Sequence, residues 1–359
     1  MSLLIQSFDD EVKELAQKIY NTQFQRDPKL GEEYDQRQKR LMYEDILYNL
    51  GYLFTAMKFD DKRIFAEYAA WIYTLLYYLM QNIDKKRIAQ HMTDHYEILT
   101  EELLEYLPPE MGRQAEDIIK TAIEITNKYV DEMSGDKTYR SAKYMDIKNE
   151  YMGHLLANNT RGAMEVIQKV KESGIPLEDI YIHILQDVMV EVGDMWHRNV
   201  ISVDKEHYFT AVTQMVLSQF YSEIFGNPRI GKRVLSCCVG SELHEMGIRM
   251  VSDLFELHGW ESVYLGAAVP KDSLLKAISE HSPDLVALSV TIPIHLDLCY
   301  ELVMEIREKY PLVKIAVGGR AFQTTNKLWE KWKVDVYTEN ADQLIQWADE
   351  HMLGSKPSQ

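Results

Sequence analysis

The chain has 359 residues, with 39 basic and 56 acidic side chains and a formal charge of −17. A composition that is 46% apolar and 26% charged excludes a disordered chain, and the length accommodates two or three domains. The acidic balance argues against a nucleic-acid binder, which needs a basic face to neutralise phosphates.

Residues 1–140 read as helix almost throughout, with sparse Gly and Pro and no strand-like alternation. The opening MSLLIQSFDDEVKEL lacks the basic start and long apolar run of a secretion signal. The segment from Leu41 to Met80 is dense in Tyr, Phe, Leu and Trp. Its most apolar part, from Tyr68 onward, is too short and too interrupted to cross a bilayer. From Arg87 to Leu107, the residues Ile88, Met92, Leu99 and Leu103 recur at helical spacing until Pro108 and Pro109 end the helix. A further helix is expected over 114–132, with a domain boundary in the MSGDK run at 134–137.

Residues 141–228 predict four amphipathic helices, over 142–158, 160–173, 177–196 and 203–225. Their short loops suggest an antiparallel bundle. From 229 to 359 five short apolar runs, VLSCCVG, SVYLG, LVALSV, KIAVGG and VDVYT, alternate with helical segments, including one expected over 244–258. This order predicts a Rossmann-like α/β domain with a five-stranded parallel sheet, whose ligands sit outside the carboxyl ends of the strands. The three cysteines, Cys237, Cys238 and Cys299, all lie here. They are too few for a disulfide framework and fit a reducing compartment, so a soluble, cytoplasmic protein is expected.

The first strand runs into GSELHEMG, which sets Glu242, His244 and Gly247 in an acidic–x–His–x–x–Gly pattern at a strand-to-helix loop. An exposed imidazole there can ligate a metal, and an acidic neighbour can hold its other nitrogen and fix the tautomer. Taken alone, such a His is more often a surface residue. The third strand runs into Ser289-Val290-Thr291 after an interval of 41 residues, and the fourth into Gly318-Gly319 after a further 26. The three pieces at this spacing resemble the cobalamin-binding domain, over residues 232 to about 351. The resemblance implies that His244 is the lower cobalt ligand, displacing the cofactor's own base, and that the freed nucleotide tail enters the domain. Ser289 and Thr291 would be polar contacts to that tail, and Gly318-Gly319 would let the backbone approach it. Glu242 stands where Asp is commoner, and its extra methylene is expected to loosen the hydrogen bond to His244.

In the bundle, Trp196 is followed after nine residues by Glu206 and His207. With the bundle-then-cobalamin-domain order, this resembles the adenosylcobalamin-dependent photoreceptors of the CarH type. The resemblance implies that Trp196, Glu206 and His207 cap the upper face, where the adenosyl group sits. It further implies that His197 binds cobalt from above once light removes that group. The expected protein is a sensor rather than an enzyme, forming homo-oligomers or reporting to a protein partner. The alternative is a corrinoid carrier of a methyltransferase system, which shares the bundle and the cobalamin domain.

The DNA-binding domain usual in that family has no counterpart in residues 1–140, which carry 18 basic and 26 acidic side chains, net −8, with no basic recognition helix. This domain is about the size of a globin. His91 and His95 lie four apart on the face of Ile88, Met92 and Leu99. They read either as two partly buried histidines or as part of a tetrapyrrole pocket, and the architecture resembles photocobilins, which also hold biliverdin. No Cys precedes 237, so any bilin here would be non-covalent; haem is a third option.

Overall fold

The structure, a computed structural model, describes residues 8–81, 83–132 and 142–353. The boundary expected at 134–137 lies outside the described residues. The chain divides into two compact units. The first holds residues 1–134 with two short excursions, 292–297 and 320–328, and the second holds the remainder.

The first unit is helical. Its long helices are α1 Asp10–Arg26, α2 Gln36–Phe59, α3 Lys62–Leu79, α4 Lys85–Tyr106 and α5 Pro109–Glu132. Aspartates start four of them: Asp9, Asp35, Asp61 and Asp84 each accept a backbone N–H of the first turn, and each such cap stabilises by about 1 kcal/mol. The aromatic-rich run from Leu41 to Met80 is broken into α2 and α3 because Asp60 turns left-handed (φ 49°) and Asp61 caps the new helix. The Asp61 carboxylate also accepts the backbone N–H of Asn326 at 2.6 Å and its side-chain amide at 2.8 Å, so it anchors the excursion 320–328. Pro109 does more than stop α4: it opens α5, five residues earlier than the sequence suggests, at a position where a missing N–H costs nothing. Leu47, Leu50, Ile64, Phe65, Leu99, Leu103 and Ile119 are fully buried, each contributing roughly 1.5–3 kcal/mol.

The second unit joins the bundle to the α/β domain around a single hydrophobic cluster, which runs from Tyr151 and Val188 to Val234, Leu254 and Ala287. The bundle consists of α6 Met145–Leu156, α7 Thr160–Glu172, α8 Asp187–His197 and α9 Val203–Ser218. Two expectations are corrected here. The third helix is not regular, since Ile180–Gln186 ahead of α8 is wound as a π-helix. The fourth breaks after Ser218, and a separate turn, Tyr221–Ile224, follows with Phe220 buried at the break.

The strands are β1 Arg233–Val239, β2 Glu261–Val269, β3 Leu285–Ser289, β4 Lys314–Gly318 and β5 Val336–Tyr337. They pair in parallel in the order β2-β1-β3-β4-β5. The order reverses between β1 and β3, so their carboxyl ends flank the crevice where such sheets bind ligands. The helices of this domain are α10 Met246–Leu257, α11 Lys271–His281, α12 Leu296–Lys309 and α13 Ala341–Met352. Helix α10 starts two residues later than expected, which leaves His244 in the loop after β1. The cysteines are free thiols in the interior, and burial pushes that of Cys237 up to about 12, so they are packing residues and not nucleophiles.

Candidate functional site

The loop after β1 turns at Gly240 (φ 71°) and presents His244 with its imidazole 62% exposed. Directly beneath it, Glu242 is completely buried. One of its oxygens accepts a short hydrogen bond from His244 Nδ1 and lies 3.3 Å from the His244 backbone N–H. The other accepts the backbone N–H of Thr291 at 3.0 Å. With Nδ1 engaged by a carboxylate, Nε2 is the nitrogen whose lone pair suits a metal. The hydrogen bond to His244 is made despite the extra methylene, and the same carboxylate ties the loop after β1 to the loop after β3.

Ser289, half-buried at the end of β3, pairs with Cys238 on one side and Gly318 on the other. Gly319 has φ 99°, and a Cβ there would lie 2.8 Å from the carbonyl carbon of Val290 and 2.9 Å from its nitrogen. The glycine is thus required by the fold itself, which presses the loop after β4 onto the loop after β3. Gly318 is less demanding, with Thr338 O at 3.3 Å. Gly247, at the start of α10, is different again: it is exposed, and a Cβ there meets nothing within 4 Å.

In the bundle, Trp196 and His197 end α8. The chain then reverses through Asn199 (φ 56°), whose N–H bonds to Trp196 O, while Val200 N–H bonds to Met195 O. Glu206 and His207 follow in the first turn of α9. Glu206 accepts Thr210 Oγ1 at 3.0 Å and faces His207 Nδ1 at 3.1 Å, with His207 74% exposed. Both pairs named by the sequence therefore flank one tight connection. Helix α9 is joined to the histidine loop through Gln214, whose amide reaches Glu245 Oε1 at 3.3 Å.

Glu245, next to His244, also accepts Tyr264 Oη at 2.9 Å. On α10, Arg249 meets Tyr221 of the bundle, and Asp253 accepts Tyr181 Oη from the π segment at 3.2 Å. Burial lifts the Asp253 carboxyl to about 6. None of these residues was foreseen, because no local pattern marks partners 19 to 72 positions apart.

In the first unit, His91 and His95 stand one turn apart on α4, but only His95 enters a polar contact, through Nδ1 to Gln23 at 2.8 Å. Its Nε2 is shut off from solvent with no hydrogen-bond partner, as are Tyr68 Oη and Tyr96 Oη. Burial holds the His95 imidazole down at about 4. Burial, and then the charge of Glu44, lifts Asp45 to about 7. Asp45 in turn acts on Tyr68, whose hydroxyl is pushed well up by burial and next by that carboxylate. The inward polar groups are thus Asp45, Tyr68, Tyr96 and His95; the sequence reading found only the last.

The second unit suits a corrin whose metal arrives already held in its ring. It offers one exposed imidazole with its second nitrogen fixed, the 63% exposed Leu243 beside it, and open space at Gly247. Residues 232–345 match the B12 binding domain, and residues 148–221 match a second B12 binding domain model. Over 182 residues the chain is 26% identical to the HTH-type transcriptional repressor CarH of Myxococcus xanthus, covering 50% of this chain and 59% of that protein. Over 123 residues it is 25% identical to dimethylamine corrinoid protein 2 of Methanosarcina acetivorans, covering 34% of this chain and 56% of that protein. The chain therefore spans less than two thirds of either relative. The solved structure of the Methanosarcina barkeri monomethylamine corrinoid protein shares the fold, with a TM-score of 0.52 at 20% identity over 58% of this chain and 99% of that one. The B12-binding domains indicate a cobalamin-type cofactor, and the likeness to CarH makes this a CarH-like cobalamin-binding chain. Among the described residues no helix is long and apolar enough to cross a membrane.

Proposed function

We propose that this chain is a light sensor that binds adenosylcobalamin between its bundle and its α/β domain. The observation that carries the reading is the paired cap. Trp196-His197 and Glu206-His207 flank one connection, on a helix that Gln214 joins to the residue next to His244. When bound, adenosylcobalamin supplies a cobalt–carbon bond that visible light cleaves. In this reading Glu242 orients His244 as the lower ligand, Trp196, Glu206 and His207 shape the upper pocket, and His197 is the imidazole available to the upper face after illumination. Ser289, Thr291 and the backbone at Gly318-Gly319 line the tail site. The response passes to the interface between bundle and α/β domain, where Arg249–Tyr221 and Tyr181–Asp253 join the two layers, and changes self-association or a protein partner.

The test is reconstitution in the dark, with spectra and elution volumes recorded before and after green light. A spectrum that does not change on illumination refutes the reading. The corrinoid-carrier alternative is supported by the dimethylamine corrinoid relative. It predicts methylcobalamin as the working form and methyl transfer to an acceptor enzyme, which the same preparation can be assayed for.

A second ligand belongs to the reading because of the first unit's inward polar groups. Tyr68 and Tyr96 offer hydroxyl donors, neutral His95 offers an acceptor, and Asp45 offers a carboxyl group whose oxygens can accept from pyrrole N–H groups. Non-covalent biliverdin fits this donor and acceptor set, and haem ligation by His95 is the competing option. Expression with biliverdin should add absorption bands beyond those of cobalamin, and Asp45→Ala should remove them.

A further inference from the structure

The helix that presents Trp196 and His197 carries an irregularity bracketed by two carboxylates. Asp179 precedes the π segment Ile180–Gln186 and Asp187 follows it. Both are held from the start of one neighbouring helix. Lys143 Nζ lies 2.8 Å and Tyr144 Oη 2.7 Å from Asp179, and Lys148 Nζ lies 2.9 Å from Asp187. The exposed Lys143 pair is of the kind that contributes little. The Lys148 pair is different, because the lysine side chain is completely buried and Asp187 is only 19% exposed.

Burying an ammonium costs several kcal/mol, and an apolar side chain of similar volume would serve the bundle at least as well. In some proteins a buried polar or ionic contact is kept because it specifies one register. Register matters here, because a π-wound stretch accommodates its residues with i→i+5 bonds. Relaxing it to α would change the winding of this stretch and so rotate everything downstream of it about the helix axis. Trp196 lies nine positions beyond Asp187, about 900° of helix, so it is presented roughly half a turn from the face that Lys148 grips. A fixed contact at Asp187 thus determines which way Trp196 and His197 point.

We propose that Lys148 is a positioning residue for the upper cap: through Asp187 it holds the π-wound register and so the azimuth of Trp196 and His197. The proposal rests on the reading of those two residues as the cap over cobalamin.

The test compares the full chain with Lys148→Met and Asp187→Asn by two readouts. The first is amide hydrogen exchange in cobalamin-free protein. Both variants should speed exchange across Asp187–His197 by about tenfold or more, the ratio for roughly 1.4 kcal/mol of local stability, with Thr160–Glu172 unchanged. Unchanged exchange at Asp187–His197, or equal acceleration of both helices, overturns the proposal. The second readout is spectroscopic, on cobalamin-loaded protein. The lower-ligand spectrum set by His244 should persist, while the yield of the His197-dependent light product falls at least severalfold. A light product formed in parental yield by both variants also overturns the proposal. If the parent itself forms no His197-dependent product, the cap reading fails, and the exchange result still decides whether Lys148 fixes the helix.

Discussion

Replacing Glu242 by Gln keeps length and shape and removes only the second carboxylate oxygen and the charge. That change is severe because the side chain has no exposure to water and serves donors on both oxygens, His244 Nδ1 on one and Thr291 N–H on the other. An amide can accept with its oxygen on one side only; its NH2 group then faces a donor. Losing one charge-assisted hydrogen bond costs about 1.5–3 kcal/mol, and each 1.4 kcal/mol is tenfold in affinity. Cobalamin binding in the dark should therefore weaken by about ten- to a hundredfold, the range typical when the partner of a metal-bound histidine is removed. Glu242→Asp separates charge from reach. It keeps the anion but is one methylene shorter, so it can serve His244 or Thr291 but not both. Losing one bond to the charged carboxylate again costs about 1.5–3 kcal/mol, so Glu242→Asp should also weaken binding by roughly ten- to a hundredfold. Equilibrium dialysis gives the affinities, and the absorption spectrum reports whether an imidazole ligates the cobalt. Leu312→Ala, at an exposed position outside the site, controls for general effects. An affinity for Glu242→Gln within about twofold of the parent, with imidazole ligation intact, would falsify the bridging role.

Gly319→Ala should destabilise the second unit by at least about 1–3 kcal/mol, since φ 99° is strained for alanine and the new methyl group collides with Val290. Gly247→Ala should leave the unliganded fold as stable as before or slightly more so, yet weaken cobalamin binding by filling open space at the start of α10. Thermal unfolding and dialysis separate the two, and equal behaviour of the variants would contradict the assignment. In the first unit, Asp45 is lifted from 3.8 to about 7 by burial, so its folded form holds a proton that the unfolded chain releases, and stability falls as pH rises towards 7. Burial lowers His95 from 6.5 to about 4, so the unfolded chain binds a proton that the folded form refuses, and stability rises with pH between those values. Between pH 5 and 6.5 the two slopes, each about 1.4 kcal/mol per pH unit, oppose one another. Denaturant unfolding of the parent should thus be nearly flat there, while Asp45→Asn should tilt upward with pH and His95→Gln downward; tilts of the same sign in both variants would refute this account.

How much of the molecule was legible depended on whether a feature is written locally. His244 and the ends of β1, β3 and β4 each follow from a few adjacent residues, and the strand order reverses between β1 and β3, next to the His244 loop. The π segment IYIHILQ has the apolar spacing of an ordinary helix, and the buried Lys148–Asp187 pair that brackets it joins residues 39 apart. Asp45 and the two buried tyrosines were equally hidden. An acidic residue in an aromatic-rich helix reads as a solvent-facing position, and tyrosines at helical spacing read as core, until the fold leaves their hydroxyls without partners.

Glu242 shows why a departure from a family pattern is better judged by geometry than by counting atoms. Considered with His244 alone, a longer acid looks like a weaker clamp. The sheet adds a second demand, because Thr291 lies at the end of the neighbouring strand and points its N–H at the same carboxylate. The loop after β3 is in turn pressed by Gly319, whose missing side chain lets the loop after β4 close against Val290. The His244 loop and the loops after β3 and β4 are therefore one connected structure, with Glu242 and Gly319 as its joints. In the proposed reading, His244 and the loops after β3 and β4 would hold the cofactor, so its binding would act on both joints at once. Substitutions at Glu242 and Gly319, which share neighbours through Val290 and Thr291, should accordingly couple instead of adding when combined. A double variant whose loss of cobalamin affinity equals the sum of the separate losses, expressed as free energies, would show that the two joints act independently.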